Sequence, residues 1–219
     1  MKWTVLISFL SICISFNIIE AQKIDSYDKF LEFAELYNKG DFINAEKCML
    51  HVLNLEENQP LIYYIYAYNN LGLVKKSLGL YTEALGHYDE AEKLSISQNK
   101  ISIDLADIYN NKSRIYTFWK SFSTASEFLE KSIRICSNIN NPDKNLLLRI
   151  SRYYLNLGIV YYESGDYKKA LENIEESLKM KEKYNLSEIE LTYLNLAKTY
   201  AKTGDIINAE VFFIVYPMS

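Results

Sequence analysis

The sequence predicts an all-α fold, an α–α superhelix or solenoid of about five helix-turn-helix units. A pattern of small and aromatic residues from Tyr154 to Leu178 returns in part from Tyr193 to Ala209. A short turn followed by alanine recurs along the chain, and apolar residues between the turns follow the period of an α-helix. A unit repeated along one chain indicates a stacked array, because a single unit cannot bury its own apolar stripe.

The recurring turn has a glycine, an optional aspartate and an aromatic or aliphatic residue, with alanine three positions later. The alanines of the five copies lie 39, 41, 45 and 39 residues apart. The copies are Gly40-Asp41-Phe42 with Ala45, Gly79-Leu80-Tyr81 with Ala84, Lys120-Ser121-Phe122 with Ala125, Gly165-Asp166-Tyr167 with Ala170, and Gly204-Asp205-Ile206 with Ala209.

Each unit is predicted to contain two helices joined by this turn. In the fourth unit the first helix has Tyr154, Leu157 and Tyr161 on one face. Glycine ends that helix because it accepts a left-handed backbone. The following aspartate caps the next helix through its carboxylate. Ala170 then lets the second helix approach the first closely.

The third unit departs from this pattern. Lys120 stands where the other turns have glycine, and Phe118 and Trp119 precede it. We expect a remodelled turn here, with Trp119 filling a wider gap between the helices. A Trp119 that faces a ligand is the alternative.

The N-terminal segment differs from the rest of the chain. After Lys2, residues 3–19 carry no charge. Residues 1–21 are predicted to be a signal peptide cut after Ala21, so the protein is expected to be exported to the periplasm or the extracellular space. The alternatives are an uncleaved membrane anchor formed by residues 3–19, lipid attachment at Cys13, and a cytosolic chain.

Charge and cysteine content exclude some classes of protein. The formal net charge is −4, with basic and acidic residues mixed along the chain, which argues against a nucleic-acid partner. Cys48 and Cys136 fall in the first and third units. Residues two units apart lie too far apart for a disulfide, so we expect two reduced, mostly buried thiols.

No motif for metal binding, nucleotide binding or nucleophilic catalysis occurs in the sequence. His51 and His87, the two histidines, fall on second helices, where a surface role is expected. Acidic residues such as Glu172, Glu175 and Glu176 are scattered as on a solvated helix face. The sequence therefore predicts no cofactor, no metal site and no enzymatic activity.

The repeated residues are those by which the chain resembles tetratricopeptide repeat proteins, over residues 24–219. The resemblance is carried in the fourth unit by Tyr154, Leu157, Gly158, Tyr161, Gly165, Tyr167, Ala170 and Leu178. Similar positions occur in the second and fifth units, the fifth being incomplete. The spacing of 39 to 45 residues exceeds the usual ~34 and resembles long-unit members of the family.

The resemblance implies that first helices line a concave groove that binds a protein or peptide. An asparagine there would hold a peptide backbone, and an arginine would hold a carboxylate in a fork. The alternative is that the arginines are solvated or pair with Asp107. The predicted partner-binding residues are Tyr66, Asn69, Asn110, Arg114, Arg152, Leu155 and Tyr162.

The expected function is that of a non-catalytic protein- or peptide-binding module. The chain resembles the exported sensor regions of bacterial (Bacteroidetes-like) signalling proteins, and the resemblance implies a truncated region of this kind. A regulator that uses the groove as a ligand switch is the alternative. A membrane partner is expected only if the N-terminal segment stays uncleaved. The apolar C-terminal residues 211–216 leave truncation, a covering partner or membrane, and self-association open.

Overall fold

The computed structural model describes residues 25–55, 60–98 and 102–215, and over these ranges it contains ten helices and no strand. The predicted all-α fold is confirmed. The predicted signal peptide or anchor lies outside the described residues. Within those residues, no helix combines the length and the apolar character needed to cross a membrane.

The helices fall into two compact units. Among the described residues, the first unit, Met1–Lys100, contains four helices, and the second, Ile101–Ser219, contains six. The first unit has α1 (residues 25–38), α2 (Phe42–Asn54), α3 (Leu61–Ser77) and α4 (Tyr81–Ser97). The second has α5 (Ile103–Phe118), α6 (Phe122–Ser137), α7 (Lys144–Ser164), α8 (Tyr167–Tyr184), α9 (Ile189–Thr203) and α10 (Ile206–Val215).

Helices adjacent in the chain pack against each other within the second unit, from α5 through α10. The first helices of successive pairs also touch, because α5 contacts α7 and α7 contacts α9. In the first unit, α3 packs against both α2 and α4. The predicted succession of helix-turn-helix pairs is therefore confirmed.

The turns inside the pairs have the predicted chemistry. Gly165 has φ +86° and ends α7 in the left-handed region. The backbone N–H of Asp166 then donates a hydrogen bond to the carbonyl of Tyr161 at 2.9 Å. The Asp166 carboxylate caps α8 by accepting a hydrogen bond from the Lys169 backbone N–H at 3.2 Å.

The third turn is not remodelled, so that prediction is wrong. Lys120 takes the glycine position with φ +58°. The N–H of Ser121 bonds the carbonyl of Tyr116 at 2.8 Å, as in the glycine turns. Trp119 does not fill a gap either, since it is 42% exposed and meets the Tyr116 ring edge-on at 5.8 Å.

Close helix contacts explain the small residues of the repeat. A Cβ on Gly158 of α7 would lie 2.4 Å from Cγ1 of Ile174 and 3.1 Å from the backbone oxygen of Ala170, both on α8. A Cβ on Gly72 of α3 would lie 2.3 Å from the ring of Tyr88 on α4. Glycine is needed at both positions because the partner helix occupies the space of a side chain.

Each unit has its own hydrophobic core. Cys48 lies in the core of the first unit and Cys136 in a core of the second, and both are free thiols. This confirms the prediction of buried, unpaired cysteines. Burial raises the pKa of Cys48, and it raises the pKa of Cys136 to about 11.

Helix α10 presents apolar side chains to solvent. Ile207 is 77% exposed, while Phe212 on another face stacks on Tyr200 of α9 at 5.9 Å. Val211 and Phe213, which belong to the apolar C-terminal run, are also exposed. That this unit is incomplete stays a prediction.

Candidate partner-binding face

A set of polar side chains lies on the first helices of the second unit, and we call it the polar face. Three of its members are spaced i, i+3 and i+7 on α7, which places them on one side of that helix. The members are Asp107 and Asn110 of α5, Arg149, Arg152, Tyr153 and Asn156 of α7, and Glu188, which immediately precedes α9.

Two asparagines from successive repeats meet at the centre of this face. Nδ2 of Asn156 donates a hydrogen bond to Oδ1 of Asn110 at 2.7 Å. This uses one donor and one acceptor of the pair. Nδ2 of Asn110 and Oδ1 of Asn156 have no hydrogen-bond partner among the described residues. The pair therefore keeps one amide donor and one amide acceptor side by side.

An acidic group lies next to the asparagine pair. The Tyr153 hydroxyl donates to Oδ1 of Asp107 at 2.6 Å, and Nη1 of Arg149 lies 2.9 Å from Oδ2. Burial raises the pKa of Asp107 although these two contacts oppose the rise. Burial and the nearby Asp107 charge raise the pKa of Tyr153. Asp107 thus forms its ion pair with Arg149, and not with Arg114 or Arg152 as one alternative had it.

Arg152 is engaged by a carboxylate of the chain itself. Its Nε donates to Oε2 of Glu188 at 2.7 Å, and its Nη2 bonds the other carboxylate oxygen. Glu188 has φ +65°, which is unusual for a residue with a side chain. Nζ of the buried Lys181 donates to the Glu188 carbonyl at 2.6 Å and to Oγ1 of Thr192 at 2.9 Å. Burial lowers the pKa of Lys181.

The other predicted residues of the second unit lie in different surroundings. Arg114 on α5 is exposed and forms no ion pair with any residue in the described ranges. Tyr162 is half-buried, with its ring 5.6 Å from that of Tyr167. Leu155 lies in the hydrophobic core, 2% exposed, rather than on the polar face. We therefore omit Leu155 from the candidate site.

Tyr66 and Asn69 belong to α3 of the first unit. Tyr66 is 39% exposed, and Phe30 of α1 meets its ring edge-on at 6.0 Å. Asn69 is half-buried. Their roles in partner binding stay predictions.

Sequence reasoning missed Arg149, Tyr153, Asn156, Lys181 and Glu188. A usable signal existed for Tyr153. It follows Asp107 by the same 46 residues that separate Asn156 from Asn110. Residues separated by about one repeat lie next to each other on α5 and α7. The same separation therefore accounts for both contacts.

The two histidines lie in separate surroundings, one at the surface and one half-buried. Nε2 of His51 lies 2.8 Å from Oδ2 of Asp25 at the surface. His87 is half-buried near the ring of Tyr68, and burial lowers its pKa. Over the part of the chain that the structure describes, no three His, Cys, Asp or Glu side chains are placed to hold a metal ion.

Comparison with known proteins gives a consistent fold and family. A family model described as tetratricopeptide repeat matches residues 63–138 and 104–183, which together cover more than half of the 219 residues. No curated protein matches the chain.

Several solved structures have the same fold at low sequence identity. BtubC (BKLC) from P. vanneervenii is 21% identical with a TM-score of 0.70, over 92% of this chain and 86% of that one. The apo form of RapI is 19% identical with a TM-score of 0.72, over 86% and 67%. A Rap protein complexed with competence and sporulation factor is 16% identical with a TM-score of 0.74, over 86% of this chain and 52% of that one. This chain thus spans about half of that Rap protein.

Proposed function

This chain belongs to the tetratricopeptide repeat family, and we propose that it is a non-catalytic module that binds an extended protein or peptide segment along the polar face. The proposal is supported by the polar groups that successive first helices place side by side. It is also supported by the match to a Rap protein whose structure contains competence and sporulation factor.

The asparagine pair is the observation that carries this proposal. An extended peptide offers an N–H and a C=O from its backbone at every residue. The unused Nδ2 of Asn110 donates to such a carbonyl, and the unused Oδ1 of Asn156 accepts from such an N–H. Backbone recognition of this kind needs no particular side chain on the peptide.

A peptide library displayed on phage tests the proposal. Peptides selected on the intact chain should bind the Asn110→Ala/Asn156→Ala double variant about tenfold or more weakly, because two hydrogen bonds are lost. Asn173→Ala on α8 is the matched control, since the Asn173 amide donates a hydrogen bond to the Lys169 carbonyl of its own helix. Equal binding of the selected peptides to the double variant and the control would contradict the assignment of the site.

We propose further that the protein is exported and that cleavage follows Ala21. The uncharged stretch after Lys2 supports this. Mass spectrometry of the protein recovered outside the cytoplasm should give a mature N-terminus at Gln22. An intact N-terminus in the membrane fraction would instead favour the anchor formed by residues 3–19.

A role as the sensor region of a signalling protein, or as a peptide-responsive regulator, is the finer form of the proposal. The resemblance to bacterial sensor regions and the Rap comparison support it. Small-angle scattering with a selected peptide separates a peptide-responsive regulator from a passive binding module. A ligand switch should change the radius of gyration on binding, whereas a passive binding module should not.

A further inference from the structure

A pocket of about 300 Å³ lies among α6, α7 and α8 of the second unit. Its size is at the lower end of the range for small-molecule sites. The lining residues are Ile133 and Ser137 of α6, Leu147, Ile150 and Tyr154 of α7, and Glu176, Lys179, Met180, Lys183 and Tyr184 of α8.

The pocket lies on the side of α7 away from the polar face. Leu147, Ile150 and Tyr154 line it at spacings i, i+3 and i+7. The polar residues Arg149, Arg152 and Asn156 follow the same spacing two positions later, and two residues rotate an α-helix by about 200°. A ligand in this pocket would therefore not compete with a peptide on the polar face.

The pocket follows from unequal helix lengths. α7 has 21 residues, whereas α6, which packs against it, has 16. α6 ends at Ser137, and the first turns of α7 belong to the longest repeat interval in the chain. Half-buried apolar side chains of α7 are consequently left between α6 and α8 without a helix that fills the space.

The charges at the edge of the pocket are not balanced. Nζ of Lys179 lies 3.3 Å from Oε2 of Glu176, so these two charges pair. Nζ of Lys183 lies 4.9 Å from the centre of the Tyr184 ring and forms no ion pair with another described residue. An apolar floor thus lies beside one positive charge that pairs with no carboxylate in the part of the chain that the structure describes.

We propose that this pocket binds a monomeric amphiphile with an alkyl chain and an anionic head, of the fatty-acid class. The alkyl chain of the ligand would cover Ile150 and Met180, and its anionic head would lie near the ammonium group of Lys183. An alkyl cation has the same charge as the Lys183 ammonium group and would be repelled by it. A short-chain carboxylate lacks the apolar area that drives burial.

Titration of the intact chain with decanoate tests the proposal, with methyl NMR signals of Ile133, Ile150 and Met180 as the readout. Decanoate should shift these signals saturably with one site per chain. Decyltrimethylammonium, with the same chain and the opposite charge, should bind at least about tenfold more weakly. Butyrate should produce no saturable shift. Absence of saturation with decanoate at millimolar concentration, or equal affinity for the cation, would overturn the proposal.

Two substitutions and one control test whether decanoate binds in this pocket. Lys183→Gln should weaken decanoate binding about tenfold, the factor expected for one charge-assisted contact. Ser137→Trp places an indole at the edge of the pocket and should abolish binding, whereas Ser123→Trp, on the exposed first turn of the same helix, should not. Decanoate affinity unchanged in Ser137→Trp would refute the site. Co-sedimentation with phosphatidylglycerol vesicles in the absence of decanoate binding would identify a membrane surface instead and would also refute it.

Discussion

Replacing Gly158 with alanine tests the packing argument most directly. In an ordinary helix, Gly→Ala stabilises by about 1 kcal/mol. Here the new Cβ would lie 2.4 Å from Cγ1 of Ile174, a fully buried residue, and 3.1 Å from the backbone oxygen of Ala170. Overpacking of a rigid contact costs about 3 kcal/mol at the upper end. Subtracting the gain in helix propensity leaves an expected net decrease of about 2 kcal/mol in the free energy of unfolding.

Thermal and urea unfolding followed by circular dichroism measure this loss. A decrease of about 2 kcal/mol should lower the melting temperature of the second unit by about 5–10 °C. Gly86→Ala is the matched control, because Gly86 is an exposed residue of α4 and its Cβ would meet no atom within 4 Å. The control should be stabilised by about 1 kcal/mol.

A double-mutant cycle identifies the clash itself. Ile174→Ala removes the Cγ1 atom that the new Cβ would meet, and it should cost about 2–5 kcal/mol in the natural chain. In the Gly158→Ala background it should cost less, because it also relieves the clash. If Gly158→Ala stabilises the protein as Gly86→Ala does, the inferred closeness of α7 and α8 is refuted.

Three further predictions concern single residues. Lys120→Gly should raise the free energy of unfolding by about 1 kcal/mol, because Lys120 has φ +58° and glycine accepts that backbone without strain; a loss in urea unfolding would contradict this. Since burial raises the pKa of Asp107, its proton stabilises the folded state below the ordinary pKa of 3.8, and this contribution is lost as pH rises through the folded pKa. In urea unfolding measured at several acid pH values, the free energy of unfolding of the natural chain should therefore fall relative to that of Asp107→Asn as the pH rises. An identical pH dependence in the two proteins would contradict this prediction. Cys48 and Cys136 should react with iodoacetamide rapidly in urea and slowly in the native state, since burial raises both pKa values; equal rates would show that the thiols are accessible.

The turns show how far the sequence predicts this fold. Spacing and glycine placement predict five pairs of helices, and Ala170 is predicted to lie where the two helices of its pair approach closely. The same reasoning fails at Lys120, because it takes glycine as the cause of the turn. The structure has a left-handed backbone at Lys120, as at Gly165, and the same hydrogen bond closes both turns. Packing of the two flanking helices therefore holds the left-handed residue in place and outweighs the local preference against it.

The polar face was predictable only in part. Asn110 and Arg152 were placed on the correct helices from their repeat positions. Leu155 was misplaced because it lies one residue from Asn156, and one residue turns an α-helix by about 100°, enough to move a side chain from a face into the core. Glu188 could not be found in this way, since it lies between helices in a backbone conformation that no repeat pattern signals.

The surroundings of α7 explain why its polar residues are paired rather than free. Every residue of this helix from Leu146 to Tyr162 is buried or half-buried. In a helix with neighbours on several sides, a partly buried charged side chain loses part of its hydration, and an ion-pair partner offsets that loss. Arg152 meets this requirement through Glu188. A ligand group on such a helix is therefore better sought in an amide, which can satisfy a neighbour and still keep hydrogen-bonding capacity, as Asn156 does.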